Sequence, residues 1–140
     1  MNDKYKIVLN YIKDLSVEIS DPETLITSRN YIAKYEMKVN ISSKPLKLKM
    51  LEVTTKLTYA DPTNNKHKAF FEIVYATVID ILDSQLKKKD LEKIILCDLQ
   101  IEIYPELEKK FLTILRNSGF PSLEFGQKID FEKLYKERLN

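Results

Sequence analysis

Residues 68–82 read KAFFEIVYATVIDIL, and their apolar pattern is the strongest indication of the fold. Its odd positions are apolar apart from Thr77, and its even positions are mostly apolar too, with Glu72 as an interruption. Alternation with a period of two is typical of a strand, and a strand that is apolar on both faces needs cover on both. Because a chain of this size has helices for only one face, we expect a partner subunit or a bound client to cover the other.

Three further strands are predicted before this one. Residues 5–19 are mostly apolar at odd positions, which predicts a first strand that stops at the turn formed by residues 20–23. The alternation over residues 31–41 predicts a second strand with one largely charged face. A third strand is predicted over residues 46–59, where the parity of the apolar positions flips near Met50 and indicates a β-bulge.

After the fourth strand the apolar period lengthens to that of a helix. This pattern predicts helix over residues 91–115, with a break or kink at Pro105, since proline cannot donate a backbone hydrogen bond. Gly119 is expected to end this helix, and Asp130 to begin a short final one. The order β-β-β-β-α-α-α predicts an α+β fold: a four-stranded antiparallel sheet covered on one face by C-terminal helices, in a single domain of residues 1–140.

Composition excludes several classes of function. The chain has 140 residues and a net charge of only +2, so we expect no nucleic-acid partner. No apolar run approaches the roughly 20 residues of a membrane span, and we expect a cytoplasmic protein without membrane insertion. Cys97 and His67 are the single cysteine and histidine, which rules out an intramolecular disulfide and multi-cysteine zinc sites. We therefore expect no metal, no cofactor and no enzymatic activity.

Four segments, taken in order, resemble the SecB protein-export chaperone family. They are YIKDLSVE at 11–18, EIVYATVI at 72–79, IYPEL at 103–107, and 119–135, which contains GFPSL and IDFEKLY. Thr77 replaces the family's usual glycine, and the chain is slightly basic where SecB proteins are strongly acidic, so it is similar to the family as a divergent member. The resemblance implies an ATP-independent holdase that binds unfolded preproteins, passes them to the SecA motor, and assembles as a homotetramer from two dimers.

The first candidate site is a pair of carboxylates, Asp14 and Glu18. They are four residues apart, so in a strand both project from the same face. Carboxylates on surface strands are usually only solvated charges. The resemblance gives them a role, because they match positions where SecB proteins present an acidic patch to SecA, and Phe70 and Glu72 match the positions that complete it. No nucleophile or glycine-rich loop accompanies the pair, which argues against acid–base catalysis.

The second candidate site consists of aromatic and methionine side chains. Met and Tyr adapt their contacts to many partners, so such residues can line an exposed groove for unfolded apolar segments. Most of the set is expected to lie in the core instead, and the sequence does not separate the two groups. The candidates are Tyr35, Met37, Met50, Phe71, Tyr75 and Tyr104.

Three functions remain open from the sequence. The leading hypothesis is the SecB-like export holdase. The second is a SecB-like chaperone dedicated to one client, such as an antitoxin of a toxin–antitoxin system, which the departure in charge motivates. The third is a small ligand-binding domain or enzyme whose sheet and helices enclose a pocket. The doubly apolar fourth strand and the helical run together exceed what one sheet-plus-helix layer covers, so we also expect a homo-oligomer.

Overall fold

A computed structural model describes residues 3–126 and 128–139. A 3₁₀ turn, Ile32–Lys34, follows the first helix, and a π-helical segment, Ile94–Asp98, joins the second helix to the third. No helix in these two ranges is both long and apolar enough to cross a membrane. The strands and α-helices are β1 (Tyr5–Glu18), α1 (Pro22–Tyr31), β2 (Glu36–Pro45), β3 (Met50–Ala60), β4 (Phe70–Ile81), α2 (Lys88–Lys93), α3 (Leu99–Asn117) and α4 (Phe131–Leu139).

The four strands form one antiparallel sheet in the order β1-β4-β3-β2. The predicted α+β fold, a four-stranded antiparallel sheet with C-terminal helices, is confirmed. The strand β4 lies inside the sheet between β1 and β3, as its apolar residues on both faces predict. The strands β1 and β2 form the two edges.

The core lies between the helices and one face of the sheet. Phe71 and Ile73 of β4 are completely buried, as are Leu107 and Phe111 of α3. The ring of Phe71 meets that of Phe120 edge-on, with 5.6 Å between their centroids. We call this side of the sheet the covered face and the other side the open face.

Helix α1 occupies residues for which the sequence predicts a turn and the start of a strand. The side chain of Asp21 accepts a hydrogen bond from the backbone N–H of Thr24 at 2.8 Å, and Pro22 takes the first helical position. The predicted turn is therefore a helix start. Periodicity gives no signal for α1, because its buried side chains are the polar ones of Thr24 and Ser28. The strand β2 consequently begins at Glu36, later than predicted.

The change of parity near Met50 arises from a hairpin loop, so the predicted bulge at this position is wrong. The strand β2 continues to Pro45, and residues 46–49 turn the chain before β3 starts at Met50. The backbone N–H of Leu46 donates to the carbonyl of Met50 at 2.9 Å and closes the loop. The pairing of β2 with β3 joins odd residues to odd residues, so both strands keep the same apolar parity. The even-numbered Leu46 and Leu48, which suggested the change, belong to the loop.

Bulges occur in β1 instead. Its pairing with β4 shifts between Ile7 and Leu9, and again between Ile12 and Asp14. Each shift moves the residues that follow it to the other face of the sheet. Leu9 and Tyr11 therefore lie on the open face, although the regular odd-position pattern of the sequence groups them with the core residues on either side.

The C-terminal helices differ from expectation at one point. Helix α3 runs through Pro105 as one continuous element, so of the predicted break or kink the break does not occur. Pro105 is exposed there, on the solvent side of the helix. Gly119 follows the helix end with a φ of 109°, which glycine adopts without strain. Asp130 caps α4 as predicted, since its side chain accepts a hydrogen bond from the N–H of Lys133 at 3.1 Å.

Candidate functional site

The pairing of β1 with β4 brings together the four residues that the resemblance assigns to SecA contact. Glu18 lies directly opposite Phe70, and Asp14 lies opposite Val74. Opposed residues of an antiparallel pair share a face, and so do residues two apart on a strand, which places Glu72 on this face between the two pairs. Asp14 and Glu18 are exposed, while Phe70 and Glu72 are half-buried. We call Asp14, Glu18, Phe70 and Glu72 the acidic patch.

Residues of β2 and β3 border the acidic patch. The hydroxyl of Thr58 donates to a carboxylate oxygen of Glu72 at 3.2 Å, which orients that side chain. Lys56 lies opposite Val74, and Lys38 lies opposite Thr58, so both lysines share the open face with the patch. The three carboxylates of the patch therefore share the open face with two lysines. The negative charge of the patch is concentrated on its β1 side, where Asp14 and Glu18 are exposed.

A hydrogen-bond network of three residues connects β1 to β3 across the open face. Glu52 of β3 is almost buried, and its carboxylate accepts hydrogen bonds from the Lys13 ammonium at 2.6 Å and the Tyr11 hydroxyl at 2.7 Å. These bonds, that of Lys13 first, hold the pKa of Glu52 below its usual range, and they raise the pKa of Tyr11 and Lys13. Lys13 is the extra residue of the second bulge. The network thus ties the bulge to β3 and fixes which β1 side chains join the acidic patch.

Two of the predicted client-binding residues line one cleft. Tyr35 and Met37 border a cleft of about 400 Å³ at the start of β2, together with Tyr59 and Phe125. The Tyr35 hydroxyl accepts a hydrogen bond from the backbone N–H of Ala69 at 2.9 Å, so its ring is fixed in the cleft wall. Burial raises the pKa of Tyr59 to about 12, which keeps this phenol neutral. Aromatic and thioether side chains therefore form part of the cleft wall, and Lys34 and Glu36 contribute polar groups to it.

The other four candidates lie elsewhere. Phe71 and Tyr75 are buried in the core. Tyr104 is mostly buried and packs edge-on against Phe131 at 5.2 Å between ring centroids, beside a separate cleft of about 260 Å³. Met50 lies at the far end of β3, on the open face. The six residues therefore do not line one groove in this structure, and client contact at any of them remains a prediction.

The edge strand β1 carries the exposed apolar surface of the sheet. Ala76 and Val78, on the open face of β4, are buried within this chain. The apolar surface that was expected to remain uncovered on β4 therefore lies on β1 instead. In the described part of the chain, no strand pairs with β1 on the side away from β4. A long apolar edge is a template for pairing with another chain. The exposed side chains, at 39–48% of their full accessibility, are Val8, Leu9, Tyr11, Ile12, Leu15 and Val17.

The single cysteine and the metal-binding residue types give no second site. Cys97 is buried, and that burial raises the pKa of its thiol, which keeps it protonated and unreactive. Within residues 3–126 and 128–139, no three His, Cys, Asp or Glu side chains are grouped so that they could hold a metal ion.

Known proteins match the chain over its whole length. The family described as preprotein translocase subunit SecB matches residues 1–140. A putative protein-export protein SecB from Pelagibacter ubique is 44% identical over 140 residues, which is 100% of both chains. The protein-export protein SecB of Bradyrhizobium diazoefficiens is 24% identical over 133 residues, covering 95% of this chain and 81% of that one.

A solved structure shares the fold. The SecB-like chaperone of Mycobacterium tuberculosis, in complex with a ChAD peptide from the HigA1 antitoxin, superposes with a TM-score of 0.65. It is 10% identical in sequence, and the superposition covers 89% of this chain and 91% of that chain. The fold, the whole-length family match and the 44% identical relative agree: the chain belongs to the SecB family of protein-export chaperones.

Proposed function

We propose that this chain is an ATP-independent holdase of protein export, which binds unfolded preproteins and passes them to SecA. The observation that carries the proposal is the register of β1 against β4. It gathers Asp14, Glu18, Phe70 and Glu72 on one face of the sheet. The resemblance to SecB proteins assigns the same four residues to SecA contact, independently of this register.

The acidic patch suits a basic surface on SecA. Exposed carboxylates mainly accelerate encounter with a positively charged partner, and their effect weakens with salt. Phe70 supplies half-buried aromatic surface beside them, and an aromatic side chain at the centre of an interface can contribute about 2 kcal/mol or more. Lys38 and Lys56 oppose part of the attraction from the β2 and β3 side. We therefore assign the steering to Asp14 and Glu18 and the apolar contact to Phe70.

The cleft beside β2 suits an extended apolar client segment. Tyr35, Met37, Tyr59 and Phe125 offer aromatic and thioether contacts, which accommodate many side chains. The strand β2 forms the second edge of the sheet, so an extended peptide can add to it through backbone hydrogen bonds. Affinity would then come from buried apolar area and main-chain pairing, and neither requires nucleotide.

We further propose that a second copy of the chain covers β1. Ile12 and Leu15 lie on the covered face of that strand and remain more than two-fifths exposed. Ile12 also lines a shallow cleft between β1 and α3 with Ile114. Pairing of two β1 edges would bury this surface and satisfy the free backbone groups of both. Two such dimers would form the homotetramer that the resemblance implies.

A dedicated antitoxin chaperone is the second candidate. The observation in its favour is that a solved structure with this fold is a SecB-like chaperone in complex with an antitoxin peptide. The whole-length match to a protein-export relative at 44% identity favours general export instead. A chaperone of one client would bind its antitoxin and leave unrelated unfolded preproteins unbound, whereas the export holdase would bind several of them.

Suppression of aggregation tests the holdase function. A reduced, slowly folding preprotein is diluted from denaturant with and without the protein, and light scattering is followed. We expect suppression near one oligomer per client. Met37→Asp should weaken it, because Met37 lines the cleft. Ile26→Asp, a change to the same residue at an exposed position of α1 outside the cleft, should leave it unchanged. Failure to suppress aggregation at equimolar oligomer would contradict the holdase function.

A further inference from the structure

The end of the sheet opposite the acidic patch carries a run of lysines. The acidic patch lies where β1 ends and β4 begins. At the opposite end, residues 44–51 form the β2–β3 hairpin and read KPLKLKML, with three lysines and no acidic residue. All three lysines, Lys44, Lys47 and Lys49, are exposed. We call residues 44–51 the basic tip.

More positive charge lies near the basic tip. The N–H of Ile81, at the end of β4, donates to the carbonyl of Lys49 at 2.9 Å, so the two segments are adjacent. Residues 87–89 are three further exposed lysines. They follow Ile81 by six residues, so the run begins within about 21 Å of it along even a fully extended chain. Residues 87–89 therefore add positive charge within that distance of the end of β4.

Leu48, at the apex of the basic tip, is unusual in both its exposure and its backbone conformation. Its side chain is 94% exposed, which is unfavourable for a large apolar group. Its φ is 63°, in the left-handed region that glycine and asparagine adopt readily and leucine does not. Neither burial nor backbone preference favours a leucine at this position. A residue that is unfavourable for both reasons is typical of a position where the side chain contacts another molecule.

We propose that the basic tip docks on an anionic membrane surface, with Leu48 inserted at the boundary of headgroups and acyl chains. Lysines close to a membrane are attracted to anionic lipid headgroups. An apolar side chain that protrudes between lysines adds insertion to that attraction, and lysine stems can lie along the apolar layer with their ammonium groups in water. Lys47 and Lys49 flank Leu48 in this way.

The acidic groups near this end do not cancel the charge of the basic tip. Asp80 lies on β4, opposite Lys6 of β1 on one side and Met50 of the tip on the other. Asp83 accepts a hydrogen bond from the N–H of Gln85 at 2.9 Å in the loop after β4. Glu52, the first acidic residue after the tip, is held by the Lys13 ammonium and lies opposite Lys44, so Lys47 and Lys49 carry the uncompensated charge of the tip. The hairpin itself thus presents only positive charge.

A membrane suits the basic tip better than a nucleic acid does. Binding of single strands relies on aromatic side chains that stack with bases, and residues 44–51 contain none. A fully exposed leucine at the apex is of no use against a phosphate backbone, whereas it matches the interior of a lipid layer. Docking by this end would leave the acidic patch, at the other end of strands roughly 33 Å long, free for a protein partner.

Co-sedimentation with vesicles tests the proposal. Vesicles of phosphatidylcholine with phosphatidylglycerol in roughly equal parts are compared with phosphatidylcholine alone. We expect binding to the anionic vesicles only, weakened by salt. Lys47→Glu with Lys49→Glu should reduce it by about tenfold or more. Lys66→Glu with Lys68→Glu makes the same change of charge in the β3–β4 loop, at the opposite end of the sheet, and should leave binding unchanged.

Leu48→Asn separates insertion from folding. Asparagine tolerates a φ of 63° better than leucine, so this variant should be at least as stable as the parent protein. We expect it to bind anionic vesicles about tenfold more weakly with its thermal unfolding midpoint unchanged or raised. Equal vesicle binding by Leu48→Asn would overturn the proposal, as would unchanged binding by the double lysine variant. A short RNA bound as tightly as the vesicles would also overturn it, and so would a drop in oligomer mass of Leu48→Asn, because a second copy would then cover Leu48.

Discussion

Glu18 of β1 lies directly opposite Phe70 of β4 on the open face of the sheet. The next residue in the chain, Phe71, lies opposite Val17 on the covered face and is completely buried. A slip of one residue in this register would exchange the two phenylalanines and remove Glu18 from the acidic patch. The proposed SecA site therefore depends on the pairing of β1 with β4.

Alanine substitutions of the two adjacent phenylalanines should differ sharply in stability. Phe71→Ala removes a buried ring that packs against Phe120, and we expect it to lower the free energy of unfolding by about 3–5 kcal/mol. Phe70→Ala removes a half-exposed ring, and we expect a loss of about 1 kcal/mol or less. Urea denaturation at one protein concentration measures both. Equal losses would mean that the two rings do not lie on different faces as described.

The Glu52 network should make stability depend on pH on the acid side. The folded-state pKa of Glu52 is lowered, so its stabilisation is present above the unfolded-state pKa, roughly 4.3, and is lost as pH falls through the folded-state value. We expect Glu52→Gln to lower the free energy of unfolding by roughly 1 kcal/mol at neutral pH. The difference in free energy of unfolding between Glu52→Gln and the parent protein should become smaller at lower pH.

Urea denaturation midpoints at neutral pH and below pH 4 would measure that difference. The control is Glu132→Gln, at an exposed position of α4. The control should show no comparable loss at either pH. A difference between Glu52→Gln and the parent protein that stays constant over this range would show that the charge of Glu52 does not contribute.

The exposed apolar side chains of β1 should stabilise the oligomer. We expect light scattering at micromolar concentration to give a multiple of the 16.5 kDa chain mass. Ile12→Asp with Leu15→Asp should reduce the mass towards that of one chain, because two charges would enter the apolar interface. Ile26→Asp, at an exposed position of α1, is the matched control and should leave the mass unchanged. A monodisperse 16.5 kDa species for the parent protein would contradict the assembly.

Strong periodicity made much of the fold predictable from the sequence. The strand β4 and the fold class follow from apolar alternation and a later change to the helical period. Helix α1 was missed because Thr24 and Ser28 form its buried side, so no apolar stripe marks it. Its start signals, Asp21 and Pro22, are also the residues of a turn.

The candidate site was predictable in composition but not in arrangement. Asp14 and Glu18 came from spacing and resemblance, yet their position beside Phe70 depends on register between distant segments. The two bulges of β1 leave the odd-position pattern intact, so the sequence gives no sign of them. Contact between Tyr11 and Glu52, 41 residues apart, likewise has no local signal.

Binding to SecA tests the assignment of the acidic patch. Asp14→Lys with Glu18→Lys is compared with the parent protein by calorimetry at low and high salt, and Glu132→Lys with Glu137→Lys on α4 is the control for net charge. We predict that the patch variant binds SecA about tenfold more weakly and loses most of the salt dependence, while the control binds as the parent does. Phe70→Ala should weaken binding with the salt dependence nearly unchanged. Normal SecA binding by the patch variant would contradict the assignment of the acidic patch.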